Sequence, residues 1–364
     1  MNRLIRRFPG RFALAGVLMS LAIGASAAPL FAADSTPASG KAVERVALIA
    51  PASRTDQGWN QQATQHISQV GEELGFDVEI AENAGYDDIT PILRDIADDG
   101  VDLIICHASG YQTVCPEFAA ETGTRVAVIE NPNAVEAGLI SDIETQAQEV
   151  AYLAGIVAGM TTRTGTVGIV VSGEPPTWNF MSVGFAEGLH AVRPDTTLLY
   201  SVIGEGAYED AAGAKRVTES QLAAGADIIF GMGDGASFGM IQAIEEFNAD
   251  AADNERAHFI DVIGDKSETD AREVLLTSVL FDYTGIYTEM VEDIGRGEFG
   301  KVYTMDVANE GVRLLELPDD LDEKIREAVE EARQEIIDGT IEVSAVGDAG
   351  DMQERLDELF PRDG

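Results

Sequence analysis

Positive charge is scarce in this sequence. Its 364 residues carry 24 Lys and Arg against 64 Asp and Glu, a net charge of −40. A surface this negative repels phosphate backbones and anionic headgroups, which argues against nucleic acid and acidic membranes as partners. Histidine is sparse too: His66, His107, His190 and His258 stand apart without the spacing of metal ligands, so no metal and no other cofactor is expected. There are two cysteines, Cys106 and Cys115, which either close a short disulfide loop between a strand end and the next helix or lie as two buried thiols. Enzyme signatures are lacking as well. No P-loop ends in Lys-Ser/Thr, no Gly-x-Ser-x-Gly elbow occurs, and the glycines at 231, 233 and 235 leave the dinucleotide fingerprint incomplete. No bond-making chemistry is expected.

Beyond the N-terminus no apolar run approaches the ~18 residues of a membrane span. At the N-terminus, Arg3, Arg6, Arg7 and Arg11 precede an apolar stretch from Phe12 to Ile23, and Ala25-Ser26-Ala27 offers a cleavage site. Residues 1–27 therefore read as a secretory signal peptide and residues 28–42 as a flexible leader. With no Cys near the cleavage site, the mature chain is expected in the periplasm without a lipid anchor. Arg6-Arg7-Phe8 leaves the general and the twin-arginine export routes both open. Removing residues 1–27 takes away four arginines and no acid, which brings the charge from −40 to −44.

From residue 43 onward, β-branched apolar runs alternate with amphipathic helical stretches. Strands are expected at Val43–Ala50, Phe76–Ile80, Val101–His107, Arg125–Glu130, Thr166–Ser172, Thr196–Ile203, Ala226–Gly231, His258–Ile263 and Val274–Phe281. Continuous apolar strands separated by helices denote an α/β fold whose parallel sheets are covered on both faces. A composition break near Asn131–Thr145, before a long helix from Thr145 to Met160, suggests two open sheets instead of one. After Pro318-Asp319-Asp320, Leu321, Ile325, Val329, Ala332 and Ile336 form one apolar stripe of an acidic helix, which reads as packing and solvation.

Open parallel sheets bind ligands at the carboxyl ends of their strands, and two facing sheets make a cleft. The segments that follow strands are 50–60, 108–111, 130–131, 173–178, 204–208, 231–235, 264–266 and 281–283. Both tryptophans, Trp59 and Trp178, fall in them, as do Tyr111 and Tyr208, although aromatics are 7% of the chain. Rings for stacking beside Asn60, Glu130, Asp234 and Asp265 for hydrogen bonds suit a flat solute with a polar edge.

Several motifs resemble those of the basic membrane protein (BMP) family, the purine-nucleoside-receptor-like solute-binding proteins of ABC transporters. They are Asp56-Gln57-Gly58-Trp59-Asn60-Gln61, the block from Glu144 to Gly155, Thr164 to Gly168, Gly173 to Pro176, Gly184 to Gly188, Leu276 to Val279 and Asn309 to Val312. The resemblance implies a type I periplasmic-binding-protein fold with two Rossmann-like lobes joined by a hinge of three crossovers. The lobes would be 43–143 plus 283–303 and 144–282 plus 304–364. It also implies that Trp59 and Tyr208 stack on the ligand, that Asn60, Glu130 and Asp265 hold its polar edge, and that Ala50 and Phe281 stand where the family has an Asp and a Lys. Trp178 occupies a position that is usually aliphatic. The expected function is capture of a purine base or nucleoside-like solute by a monomer that hands it to the membrane permease of an ABC importer. Another aromatic or sugar solute, a sensor role and a secreted nucleoside hydrolase are the alternatives.

Overall fold

The computed structural model of the protein describes residues 42–361 other than 268; the expected signal peptide and nearly all of the leader lie outside the described residues. The apolar runs fold into two six-stranded sheets. One contains β1 (Arg45–Ile49), β2 (Asp77–Ala81), β3 (Leu103–Cys106), β4 (Val126–Ile129), β5 (Ile140–Thr145) and β11 (Val302–Met305), in the order β2-β1-β3-β4-β5-β11. The other contains β6 (Thr166–Val171), β7 (Thr197–Val202), β8 (Ile228–Met232), β9 (His258–Val262), β10 (Leu275–Phe281) and β12 (Val312–Leu314), in the order β7-β6-β8-β9-β10-β12. Each sheet is wound alike, and every paired strand is parallel except β12, which runs antiparallel to β10. The connecting helices are α1 (Trp59–Leu74), α2 (Thr90–Asp98), α3 (Val114–Thr122), α4 (Ala147–Thr161), α5 (Pro176–Val192), α6 (Ala211–Ala223), α7 (Ser237–Asp250) and α8 (Thr284–Arg296). Two more follow β12: α9 (Glu323–Ile337) and α10 (Ala349–Leu359).

All nine expected strands are present. Three others were not legible as strands, and the supposed break at 131–145 is in fact β5, whose Ser141 and Asp142 are fully buried polar residues that interrupt the apolar pattern. The chain therefore stays in the first sheet as far as Thr145, and β11 likewise runs to Met305. Between the two sheets it crosses three times, at 146, at 282–283 and at 306–311. These crossings lie side by side: the Gln146 N–H donates to the Met305 carbonyl at 2.8 Å, and the Asp282 N–H to the Gly311 carbonyl at 2.8 Å.

Helix α4 is buried nearly all round, as its run of Ala, Val and Ile requires, because α5 covers one side and α9 another. Glycines allow α4 and α5 to touch backbone to backbone. A Cβ on Gly155 would stand 2.1 Å from the Phe185 carbonyl oxygen, and one on Gly188 would stand 2.0 Å from that of Tyr152. The acidic helix expected after Pro318 is α9; it buries Ile325, Ala332 and Ile336. Helix α10 lies on α5, held where Arg355 Nη2 donates to Glu187 Oε1 at 2.8 Å. Cys106 and Cys115 form a disulfide that ties the end of β3 to α3, which decides the question left open by the sequence.

Candidate functional site

Both sheets point the carboxyl ends of their strands at a common cleft of about 780 Å³, solvent-facing mouth included. It sits at the winding reversals of both sheets, beyond β1 and β3 in one and β6 and β8 in the other, where adjacent connections leave on opposite faces and open a crevice.

From the first sheet comes Trp59, the first residue of α1. Its ring packs on the imidazole of His107, with centroids 3.9 Å apart, and its indole N–H donates to the Tyr283 hydroxyl at 2.8 Å. Tyr283 is buried at the β10–α8 crossing and stacks in turn on Tyr287 at 5.4 Å, so the indole is braced on two sides. Burial lowers the His107 pKa to about 3 and keeps it neutral. Tyr86, in the loop after β2, forms an exposed lip beside Gly110, where a Cβ would meet its ring at 3.0 Å. From the second sheet, Trp178 and Tyr208 meet edge to face at 5.2 Å. Phe281, at the end of β10, closes the floor with Ile129, Ile143 and Ile263.

Two carboxyls are recessed among these rings. Glu130 ends β4 in the left-handed region at φ 58°, an uncommon conformation for a side-chain-bearing residue, and its Oε1 accepts a hydrogen bond from the Thr177 hydroxyl. Burial, and then the neighbouring Asp142, raise its pKa to about 7. Asp234, after β8, is raised to about 7 by burial and then by Asp56 and Glu209. Ile263, a β-branched residue, is also held at positive φ, 55°; such strain gathers at functional sites.

Contacts bridge the cleft directly. Lys266, buried after β9, forms an ion pair with buried Asp261 and donates across to the Gln57 carbonyl at 3.2 Å. Asp234 packs so closely on the opposing loop that a Cβ on Gly58 would lie 3.0 Å from its Oδ1.

Of the residues expected in the site, the structure brings together Trp59, Glu130, Trp178, Tyr208, Asp234 and Phe281. It places three elsewhere. Asn60 points back from α1 and donates to Asp56 Oδ2 at 2.7 Å, organising the loop before the helix. Tyr111 is buried under the 82–89 loop, its hydroxyl donating to the Gly85 carbonyl at 2.5 Å. Asp265 is exposed and takes hydrogen bonds from Ser267. Sequence reasoning did not single out Tyr86, Thr145, Thr177 or Tyr283. Thr177 and Tyr283 lie in the post-strand segments, so their positions were legible, but Tyr86 sits five residues past β2 in a loop that no pattern marks.

Residues 43–346 match the family described as ABC transporter substrate-binding protein PnrA-like, Bmp. The chain belongs to the Bmp family. It is a family of ABC transporter substrate-binding proteins. Two curated proteins are similar to this chain. The transcriptional activator protein med of Bacillus subtilis is 23% identical over 72% of this chain and 78% of its own length. The ABC transporter nucleoside-binding protein BmpA of Lactococcus lactis is 24% identical over 54% of this chain, which spans 57% of that relative. Among solved structures, an ABC transporter solute-binding protein from Aeropyrum pernix K1 superposes with a TM-score of 0.75 at 20% identity, covering 87% of this chain and 97% of its own; the likeness is one of fold. Among the described residues, no helix of this Bmp protein is long and apolar enough to cross a membrane.

Proposed function

We propose that this Bmp protein captures a flat heterocyclic solute of the purine base or nucleoside kind between its two sheets and presents it to the permease of an ABC importer. The observation that carries the reading is the wall of the cleft: Trp59 and Tyr86 on one side face Trp178 and Tyr208 on the other, with Phe281 and Tyr283 between. A ring held this way gains stacking on its faces, while Glu130, Thr177 and Asp234 meet its edge. The nucleoside-binding name of the Lactococcus relative agrees with it. In this reading the protein works as a monomer, exported to the periplasm by residues 1–27 and free of a lipid anchor, and it leaves the solute chemically unchanged. The three crossings serve as the hinge, and the ligand favours closure because its contacts are better in the shut form.

Both tryptophans of the chain line the cleft, so intrinsic fluorescence reports its occupancy. Titration with a panel of purine bases and nucleosides should change that fluorescence and raise Tm. If no member of the panel does either, the solute class is wrong.

A further inference from the structure

We propose that the solute this cleft closes on carries a positive charge: a cationic nitrogen heterocycle, stacked against the rings and neutralised by Glu130 and Asp234. This rests on the reading of the cleft as the site of a flat solute and narrows it to one charge class.

The first argument is the charge balance of the wall. Glu130 and Asp234 are its ionisable carboxyls, and among the described residues lining it there is no Lys, Arg or His. A carboxylate withdrawn from water is unfavourable unless a positive partner meets it or a proton neutralises it. Neither acid has such a partner within the protein. Glu130 accepts the Thr177 hydroxyl and is faced by Asp142 and Glu144, two more acids. Asp234 accepts the Trp59 backbone N–H and is faced by Asp56, Glu209 and the tyrosines Tyr86 and Tyr208. The cation nearest to it, Lys266, is committed to Asp261 and to the Gln57 carbonyl. When the pair ionises, the missing counter-charge is therefore the solute's to bring.

A second argument comes from the rings. Aromatic faces present negative potential, and a cation set over Trp or Tyr gains attraction that a neutral ring does not. A phosphorylated or carboxylated solute would meet two acids and several π-faces with no base to receive it, so nucleotides are excluded on the same ground.

The two protonation states make opposite demands, which gives the proposal a signature in pH. Both acids titrate near pH 7 in the empty cleft. A cation binds to the ionised pair and expels whatever protons they hold, so its affinity rises with pH. A neutral solute that accepts hydrogen bonds from the protonated acids weakens with pH instead.

The test compares matched pairs that differ in charge at nearly constant shape: 1-methylnicotinamide against nicotinamide, and 1-methyladenosine against adenosine. Isothermal titration calorimetry from pH 6 to pH 8, in buffers of different ionisation enthalpy, reads affinity and proton release together. At least one cation should bind about tenfold or more tighter than its neutral partner at pH 8, about 1.4 kcal/mol. It should bind about a hundredfold more weakly at pH 6 than at pH 8 and release about one proton at pH 7, where each acid is half protonated. Glu130→Gln with Asp234→Asn should bring the affinity for the cation down to that for its neutral partner and remove the pH dependence of the difference. The wild-type pH dependence stands as an independent measurement should the double variant not fold. Neutral members binding as well as the cations, or better, would overturn the charge assignment and leave the flat-solute reading intact. Binding by no member of either pair would overturn both.

Discussion

Trp59 shows how one side chain is made into a platform. Its ring is backed by neutral His107 and its N–H is tied to Tyr283, so it spends little rotational freedom when a ligand arrives. Trp59→Ala should weaken binding of the cognate solute by about 1–3 kcal/mol, the usual worth of a base stacked on an aromatic ring; calorimetry measures it, and an unchanged Kd removes Trp59 from the site. Glu130 and Asp234 make a second prediction. Their folded-state pKa values lie above those of the unfolded chain, so the folded protein holds more protons, and the stability they contribute is present below about pH 4 and lost as pH rises to about 7. The empty protein should therefore melt lower at pH 8 than at pH 5, and Glu130→Gln should flatten that slope in scanning calorimetry. An identical slope in the variant would show that Glu130 does not titrate in this range. At this scale the sequence was legible for Trp59, Glu130, Trp178, Tyr208, Asp234 and Phe281, which lie at strand ends and line the cleft. It misled at Asn60, Tyr111 and Asp265, because position after a strand does not say which way a side chain turns.

Among the elements, the α4–α5 pair depends most on residue size. Gly155 and Gly188 bring the two helix backbones into contact, with no space for a methyl group on either side. Gly155→Ala gains helix propensity but must push the helices apart; overpacking prevails, and a loss of about 3 kcal/mol is expected from denaturant unfolding. The strands divide by length and polarity. Those made of continuous Val, Ile and Leu could be read from the sequence because burial on both faces leaves no alternative composition. Strand β5 could not, since Ser141, Asp142 and Glu144 interrupt it, and β12 is three residues long. Helix α9 was legible from its stripe, whereas α10, which buries Met352 and Leu356 and ties Arg355 to Glu187, was not singled out.

At the scale of the whole molecule, two sheets without detectable sequence repeat share one winding and face each other across strand ends. The alternation of elements made the α/β class plain, and the motif blocks pointed to the family. The exact points of crossing were hidden because β5 and β11 extend past the expected breaks. Lys266 belongs to this scale, since it pairs with Asp261 of its own sheet while holding the loop of the other. Lys266→Met would leave Asp261 as an uncompensated buried carboxylate and should cost about 3–5 kcal/mol, read from the denaturation midpoint. The same variant loses the bond to Gln57, so its scattering radius should increase.

The contacts that span the cleft, from Lys266 to Gln57 and Thr177 to Glu130, also bear on time. A solute that parts them on its way in binds no faster than they open. In stopped-flow mixing the observed rate should climb with solute concentration and then level off at the frequency with which the unliganded molecule unlatches, whatever the chemistry of the guest.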